Sequence, residues 1–272
     1  MQHEPRHVRR GTLDTAPRTA LVWERVTAAV ALRAKQVGRR PLRIVDLGGG
    51  SGSLAVPLAE LGHEVLVVDP SPDALASLQR RAREVGLDAG DAAAGEAGQR
   101  LRAVQGDSAT LSGLGLAGAV DLVTCHGVLE LDDDPTGTLA DIAAVLAPGG
   151  LLSLLVAQRL AVVLARALSG RFGQARAALE SPDGRWGDHD PLPRRYDAKA
   201  LAQHVQDAGL VVEDIRGLRI FTDLVPSAFV DTDADRDALL ALERALFDHP
   251  DHEPLGRLGS VLHILAARPD GA

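Results

Sequence analysis

The residues Asp46-Leu-Gly-Gly-Gly-Ser-Gly52 end the apolar run 41–47 and carry the first chemistry in the chain. An acid followed by glycines makes a loop whose backbone can approach a ligand closely, because no Cβ stands in the way. A pyrophosphate-binding turn spaces its glycines as Gly-x-Gly-x-x-Gly. Here the glycines of alternate positions are 48, 50 and 52, and Ser53 occupies the last place of the dinucleotide pattern. A tight strand-to-helix turn with no ligand also accepts such a run, so the loop alone does not decide.

Two further acids sit at comparable places. Asp69 ends the next apolar run, where a carboxylate can accept hydrogen bonds from both ribose hydroxyls of a nucleoside. Asp107 follows the run 101–105, where an adenine amino group would lie. Either acid also suits a turn or a helix cap, Asp69 before Pro70 and Ser71 in particular. Acids at the ends of successive strands, downstream of a glycine loop, favour a nucleoside site over a bare turn.

Positioning these groups requires strands that end side by side. Apolar residues at helical spacing over 16–37 predict a helix, and residues 41–47 predict a strand bounded by glycine. Residues 53–62 read as a short helix, 63–69 as a strand, and 71–86 as a helix with Ser71 as N-cap. After a loose Ala/Gly/Asp-rich insertion over 87–99 come strands at 101–107 and 119–130, a helix from Asp134 to a Pro-Gly-Gly turn, and a strand at 151–157. Such uniformly apolar strands suit a parallel sheet covered on both faces. Residues 211–221 and 260–269 predict a closing antiparallel pair, with a helix over 233–247 between them.

The expected fold is therefore α/β and Rossmann-like, a mostly parallel sheet with an antiparallel C-terminal strand. The expected organisation is one domain over 1–272, with an N-terminal helical segment over 1–40. A helical lid insertion over 158–195 follows the strand 151–157 and would sit above the strands' C-terminal ends, where open α/β sheets bind ligands.

Composition sets further bounds. With 272 residues, 46% of them apolar, the chain can bury one α/β core. Cys125 is its only cysteine, so no intrachain disulfide forms and no cysteine cluster holds a metal. A reducing, cytoplasmic setting is expected. Residues 1–10 lack the apolar core of a secretory signal, and Gln158, Arg159 and Arg166 interrupt the one run that approaches a membrane span. The formal net charge of -8 argues against a nucleic-acid partner, but its distribution is uneven. Residues 1–43 and 158–196 both carry a basic surplus, and the acidic excess lies elsewhere.

The loop at 46–52, Asp69, Asp107 and the Leu-Ala-Pro-Gly-Gly turn at 146–150 together resemble the class I S-adenosylmethionine-dependent methyltransferases. Residues 18–26, 42–52, 125–135, 145–155 and 254–269 carry a narrower resemblance across nearly the whole chain, to the bacterial tRNA 5-carboxymethoxyuridine methyltransferases. Those enzymes convert a wobble-position carboxymethoxy group to its methyl ester. The resemblance implies S-adenosylmethionine as methyl donor, no metal, and tRNA as partner. It places donor contacts on Arg18, Gly48, Gly49 and Gly50, Asp69, the Gly106–Asp107 turn and His126. Arg18 would pair with the donor's carboxylate as a fork, Asp69 would take the ribose, and His126 would lie beside the sulfonium.

The chain departs from that family after the strand 151–157. Val156, Ala157, Gln158 and Arg159 stand where an aromatic residue and an asparagine are usual, and Arg185, Arg194 and Arg195 replace a lysine cluster. No Ser/His/Asp set or paired carboxylates emerge as catalytic residues. A carboxylate acceptor needs none, being ionised already; it needs cations that orient it. Arg159 and Arg195, with Tyr196, are the candidates for substrate contact. A small carboxylic acid or other metabolite is the alternative acceptor. A dinucleotide dehydrogenase or a binding module on the same sheet remains the reading from other classes, and the glycine spacing opposes the dehydrogenase.

Overall fold

A computed structural model describes residues 17–38, 41–87, 89–91, 99–249 and 253–271. Of the expected N-terminal segment, helix α1 (Pro17–Val37) is described; residues 1–16 and 39–40, which hold five of the ten Lys and Arg of residues 1–43, lie outside the described residues.

One eight-stranded sheet organises the chain, in the order β3-β4-β2-β1-β5-β6-β8-β7. Strands β1 (Arg43–Leu47), β2 (Glu64–Asp69), β3 (Ala89–Asp91), β4 (Leu101–Gln105), β5 (Val120–His126) and β6 (Leu146–Ala157) pair in parallel. Strand β8 (Val261–Ala267) runs antiparallel between β6 and β7 (Val211–Leu218). Helices α2 (Ala55–Glu60), α3 (Pro72–Glu84), α4 (Pro135–Val145) and α7 (Ala198–Asp207) supply the crossovers, and α8 (Asp233–Asp248) and the short α9 (Glu253–Gly256) precede β8. The α/β architecture expected from the sequence, with its closing antiparallel pair, is present.

Side chains on alternate strand positions go to opposite faces, so the sheet has two cores. Ile44, Val65, Val67, Leu122 and Leu151 pack on one face with Leu21, Val26 and Val30 of α1 and with α2 and α3. Val45, Leu66, Val68, Val123 and Leu152 pack on the other with α4 and α7. The central strands are apolar at almost every position because both faces are covered.

The structure refines the sequence reading at three places. The expected loose insertion 87–99 contributes the edge strand β3, which pairs with β4; residue 88 and residues 92–98 lie outside the described residues. The Pro-Gly-Gly turn is drawn into β6, which begins at Leu146 and carries a register shift against β5 between Val120 and Leu122. The excursion after β6 forms α5 (Arg159–Leu168) and α6 (Phe172–Glu180), then a loop, and returns so that Gln158 bridges to Tyr196 in parallel. It therefore leaves and re-enters the sheet at adjacent points at the end of β6.

One buried carboxylate shapes the turn after β7. Glu243 of α8, 2% exposed, accepts hydrogen bonds from the backbone N–H groups of Ile220 (3.2 Å), Phe221 (2.8 Å) and Thr222 (2.9 Å) and from the Thr222 hydroxyl (3.0 Å). This anchors a turn in which Arg219 adopts φ +60°, the only positive φ of a non-glycine residue among the described residues. Glu243→Ala leaves these donors unsatisfied and is expected to destabilise the protein by about 3 kcal/mol. Urea unfolding measures it, and an unchanged midpoint would show that the turn holds without its cap.

Candidate active site

The order of the sheet reverses at β1, which has β2 on one side and β5 on the other, so the loops after β1 and β5 diverge and leave a crevice. The glycine loop enters this crevice. Gly50 lies in the left-handed region, φ +53°, and its N–H donates to Asp69 Oδ2 at 2.8 Å. Asp69 Oδ1 accepts from Ser71 N–H at 2.9 Å. A Cβ on Gly49 would stand 2.5 Å from Asp46 Oδ2, so the loop closes only over glycine.

Asp46 is buried beneath this loop and accepts from the Thr124 hydroxyl at 2.6 Å. Burial pushes its carboxyl up to about 6, against the pull of the Thr124 bond. Gly106 N–H donates to the Asp69 carbonyl at 3.2 Å, which brings the Gly106–Asp107 turn beside Asp69. Asp107 is exposed and caps the 3-10 turn Ser108–Leu114 through a reciprocal box with Thr110. The expected ribose and adenine contacts are thus adjacent, and each also has a structural duty. Asp69 uses one lone pair of Oδ2 on Gly50 and one of Oδ1 on Ser71, and a carboxylate has about four such sites.

At the other end of the crevice lies a cavity of about 260 Å³, walled by Trp23 of α1, Ser53, His126, Glu130, Leu155 and Arg219. A larger hollow of about 920 Å³ runs along β7 between α7 and α8, but neither the glycine loop nor Asp69 nor His126 lines it. The smaller cavity is the chemical one, because polar groups from several strand ends converge there.

His126 is half-buried and bonds through Nε2 to the Ser153 hydroxyl at 2.9 Å. Burial, reinforced by the nearby Arg219 charge, pushes its imidazole down to about 4, so it is neutral at pH 7. Glu130 is 7% exposed; its Oε1 accepts from Ala157 N–H at 3.2 Å, and its Oε2 has no bonding partner among the described residues. Burial pushes the Glu130 carboxyl upward, partly opposed by hydrogen bonds to backbone N–H groups and by the Arg195 charge. Arg219 donates from Nε to the Arg18 carbonyl at 2.9 Å, and its terminal nitrogens make no hydrogen bond among the described residues.

The remaining candidates have partners within the protein. Arg18 is largely exposed and forms an ion pair with Asp223 at 2.7 Å. Arg195 is buried in a two-pronged pair with Asp190 (2.6 and 2.9 Å) and also donates to the Gly184 carbonyl. The Tyr196 hydroxyl is buried and donates to the Leu129 carbonyl at 3.0 Å. Arg159 holds the Pro182 carbonyl at 2.7 Å and pairs with Asp197 at 3.3 Å. These three residues fasten the base of the excursion, and the cavity lining includes none of them. Arg219, Glu130 and Trp23 are among the lining residues that were not singled out from sequence. Nothing in a single sequence marks the positive φ of Arg219, and Glu130 is masked by the acidic run 130–134. Among the described residues no group of three His, Cys, Asp or Glu could hold a metal ion, and no helix is long and apolar enough to cross a membrane.

Residues 21–215 match the family described as a methyltransferase domain. The chain belongs to that family and is a methyltransferase. It is 28% identical over 259 residues to the tRNA 5-carboxymethoxyuridine methyltransferase of Escherichia coli, covering 95% of this chain and 91% of that one. It is 30% identical over 176 residues to the ubiquinone biosynthesis O-methyltransferase of Xanthomonas axonopodis pv. citri, covering 65% of each. Among solved structures, magnesium protoporphyrin IX methyltransferase from Synechocystis matches with a TM-score of 0.54 at 17% identity, over 93% of this chain and 85% of that one. The methyltransferase's sheet is the Rossmann-like class I fold implied by the sequence resemblance.

The depressed His126 has a consequence for stability. Its contribution is complete above the ordinary value of 6.5 and is lost as pH falls through about 4, because the unfolded chain takes up the proton first. Asp46 works in the opposite sense, its contribution being complete below 3.8 and lost as pH rises through about 6. The two offset one another in the parent protein, so a variant is needed to separate them. Between pH 7 and pH 4, His126→Gln is expected to gain about 3 kcal/mol relative to the parent. Paired urea titrations check this; a gap between the two proteins that does not change with pH would contradict it.

Proposed function

We propose that the enzyme transfers a methyl group from S-adenosylmethionine to a carboxylate oxygen, and that this carboxylate belongs to wobble 5-carboxymethoxyuridine of tRNA. One observation carries the reading: the cavity offers an acceptor's anion the Arg219 guanidinium, and among the described residues Glu130 is the one lining carboxylate beside it. Arg219 supplies a cation there, and His126 is neutral and too weakly basic to take a proton at pH 7.

The residues fit the donor. Asp69 retains acceptor capacity for ribose hydroxyls, the Gly106–Asp107 turn borders it, and Gly48 to Gly50 leave space for the methionine portion to lie toward the cavity. Arg18 and Arg219, joined through the Arg18 carbonyl, are the cations at that end. When bound, the donor supplies a methyl group already activated by a sulfonium. The protein's work is to align, to exclude water and to hold the acceptor's charge. A carboxylate oxygen forms its bond to the methyl carbon as the carbon–sulfur bond breaks, and no proton has to leave. Trp23, Leu155 and Val22 form the apolar wall that keeps water from the reacting atoms.

A tRNA acceptor is supported by the Escherichia coli relative, which aligns along nearly the whole chain, and by the arginines of the excursion. Arg171 and Arg176 are exposed on the α5–α6 hairpin, where they could meet phosphates. A small carboxylic acid is the second reading, favoured by the net charge of -8 and by the Xanthomonas relative.

Methyl-labelled S-adenosylmethionine with tRNA bearing 5-carboxymethoxyuridine tests the proposal. The label is expected to enter the tRNA and to leave as methanol in mild base, as an ester does. Base-stable label, or transfer confined to small acids, would contradict it. Glu130→Gln separates the chemistries: a carboxylate acceptor tolerates the neutral amide within about threefold, whereas an alcohol acceptor using Glu130 as general base would lose roughly 100-fold or more.

A further inference from the structure

Strand parity places His126 of β5, Ser153 of β6 and His263 of β8 on the same face of three adjacent strands, the face that α1 covers. They are joined in a line. His126 Nε2 lies 2.9 Å from Ser153 Oγ, and His263 Nε2 lies 2.8 Å from the same oxygen. Arg25 of α1 completes the line, donating from Nε to His263 Nδ1 at 3.4 Å and pairing through its terminal nitrogen with Asp214 of β7. Ser153 and His263 are sealed from solvent, at 0% and 1% exposure.

The direction of these bonds follows from what each group can do. A guanidinium only donates, so His263 Nδ1 must accept. A neutral imidazole that accepts at Nδ1 carries its proton on Nε2, so His263 donates to Ser153 Oγ. The single serine hydrogen is then directed at His126 Nε2, which must accept, and His126 carries its proton on Nδ1. The reverse order fails at its far end, because it would set an Nδ1–H of His263 against the Arg25 N–H. A second proton on either ring is opposed by burial, by the neighbouring imidazole and by the charges of Arg25 and Arg219.

Nδ1 of His126 has no partner among the described residues, and its ring lines the cavity beside Arg219. A fixed N–H donor and a guanidinium facing one space suit the two oxygens of a carboxylate. We propose that Arg25, His263 and Ser153 are positioning residues that lock His126 in its Nδ1–H form, so that it holds the acceptor's carboxylate as a hydrogen-bond donor. The assignment to the acceptor rests on the carboxylate-methylation reading above, whereas the locked form of His126 does not.

Nitrogen-15 NMR of histidine-labelled protein reads the proton position directly, because protonated and bare ring nitrogens resonate far apart; His126→Gln identifies the resonances. The parent is expected to show Nδ1 protonated and Nε2 bare for His126. Ser153→Ala and Arg25→Ala should each turn this into a mixture of both forms, the second from a residue that does not touch His126. Ser153→Thr, which keeps the hydroxyl, should restore the lock. In kinetics, Ser153→Ala should raise the acceptor KM roughly tenfold, with the dissociation constant for S-adenosylmethionine within about twofold of the parent.

A parent His126 protonated on Nε2, or a form unchanged in both variants, overturns the lock. Loss of donor affinity with an unchanged acceptor KM puts the donor's own carboxylate on His126 and overturns the assignment to the acceptor. A locked His126 in a protein that methylates no carboxylate upholds the lock while removing the reading beneath it.

Discussion

The crevice depends on a hydrogen bond between Gly50 N–H and Asp69 Oδ2, 2.8 Å long, which ties the loop after β1 to the end of β2. Parallel strands need no such tie for their own pairing, since the β1–β2 ladder already runs from Arg43 to Leu47. The bond instead fixes where the loop goes once the ladder ends. It goes with a left-handed residue at position 50, while Asp46 beneath the loop leaves no room for a Cβ at 49, so Asp69 and Asp46 together account for these two glycines. The Gly106 N–H bond to the Asp69 carbonyl adds the third strand end to the same point. Loop, acid and turn form one rigid edge, whose conformational cost is met in folding before a ligand arrives.

The cavity at the other end is held from the opposite side of the sheet order. Arg219 reaches it because Glu243 caps the turn that follows β7, and His126 reaches it at the end of β5. A polar line under α1, from His126 through Ser153 and His263 to Arg25 and Asp214, crosses β5, β6, β8 and β7. Such a line is costly in an interior unless its groups are satisfied, and its members satisfy one another up to His126 Nδ1, which faces the cavity. The antiparallel strand β8 is what makes this possible, since it brings His263 between β6 and β7.

The sequence made the sheet legible because buried parallel strands are apolar runs ended by glycine or acid, and Ser71 does cap α3 as its position suggests. The glycine loop and Asp69 stood out for the same reason, since ligands in such folds are expected at strand ends, whereas His126 entered through the family resemblance. Strand β3 was not, because three residues inside an Ala/Gly/Asp-rich stretch have too little pattern to register. Arg195 and Tyr196 follow a proline-rich loop and read as candidates for substrate contact, yet Asp190 and the Leu129 carbonyl draw them inward. A loop has no periodicity from which such a pairing could be inferred. Arg219 was hidden because a backbone φ leaves no mark in composition. The line from His126 to Arg25 needs the registers of β5, β6 and β8, and register between strands far apart in sequence is a tertiary property.

The measurement that tests the account most directly is calorimetric titration of S-adenosylmethionine and of NAD into the parent protein and into Asp69→Ala. The account predicts saturable binding of the methyl donor alone. It also predicts at least a roughly tenfold loss in a folded Asp69→Ala, the effect of removing a charged hydrogen-bond acceptor of about 1.5–3 kcal/mol. Saturable NAD binding with no response to S-adenosylmethionine, or parental donor affinity in Asp69→Ala, would contradict it.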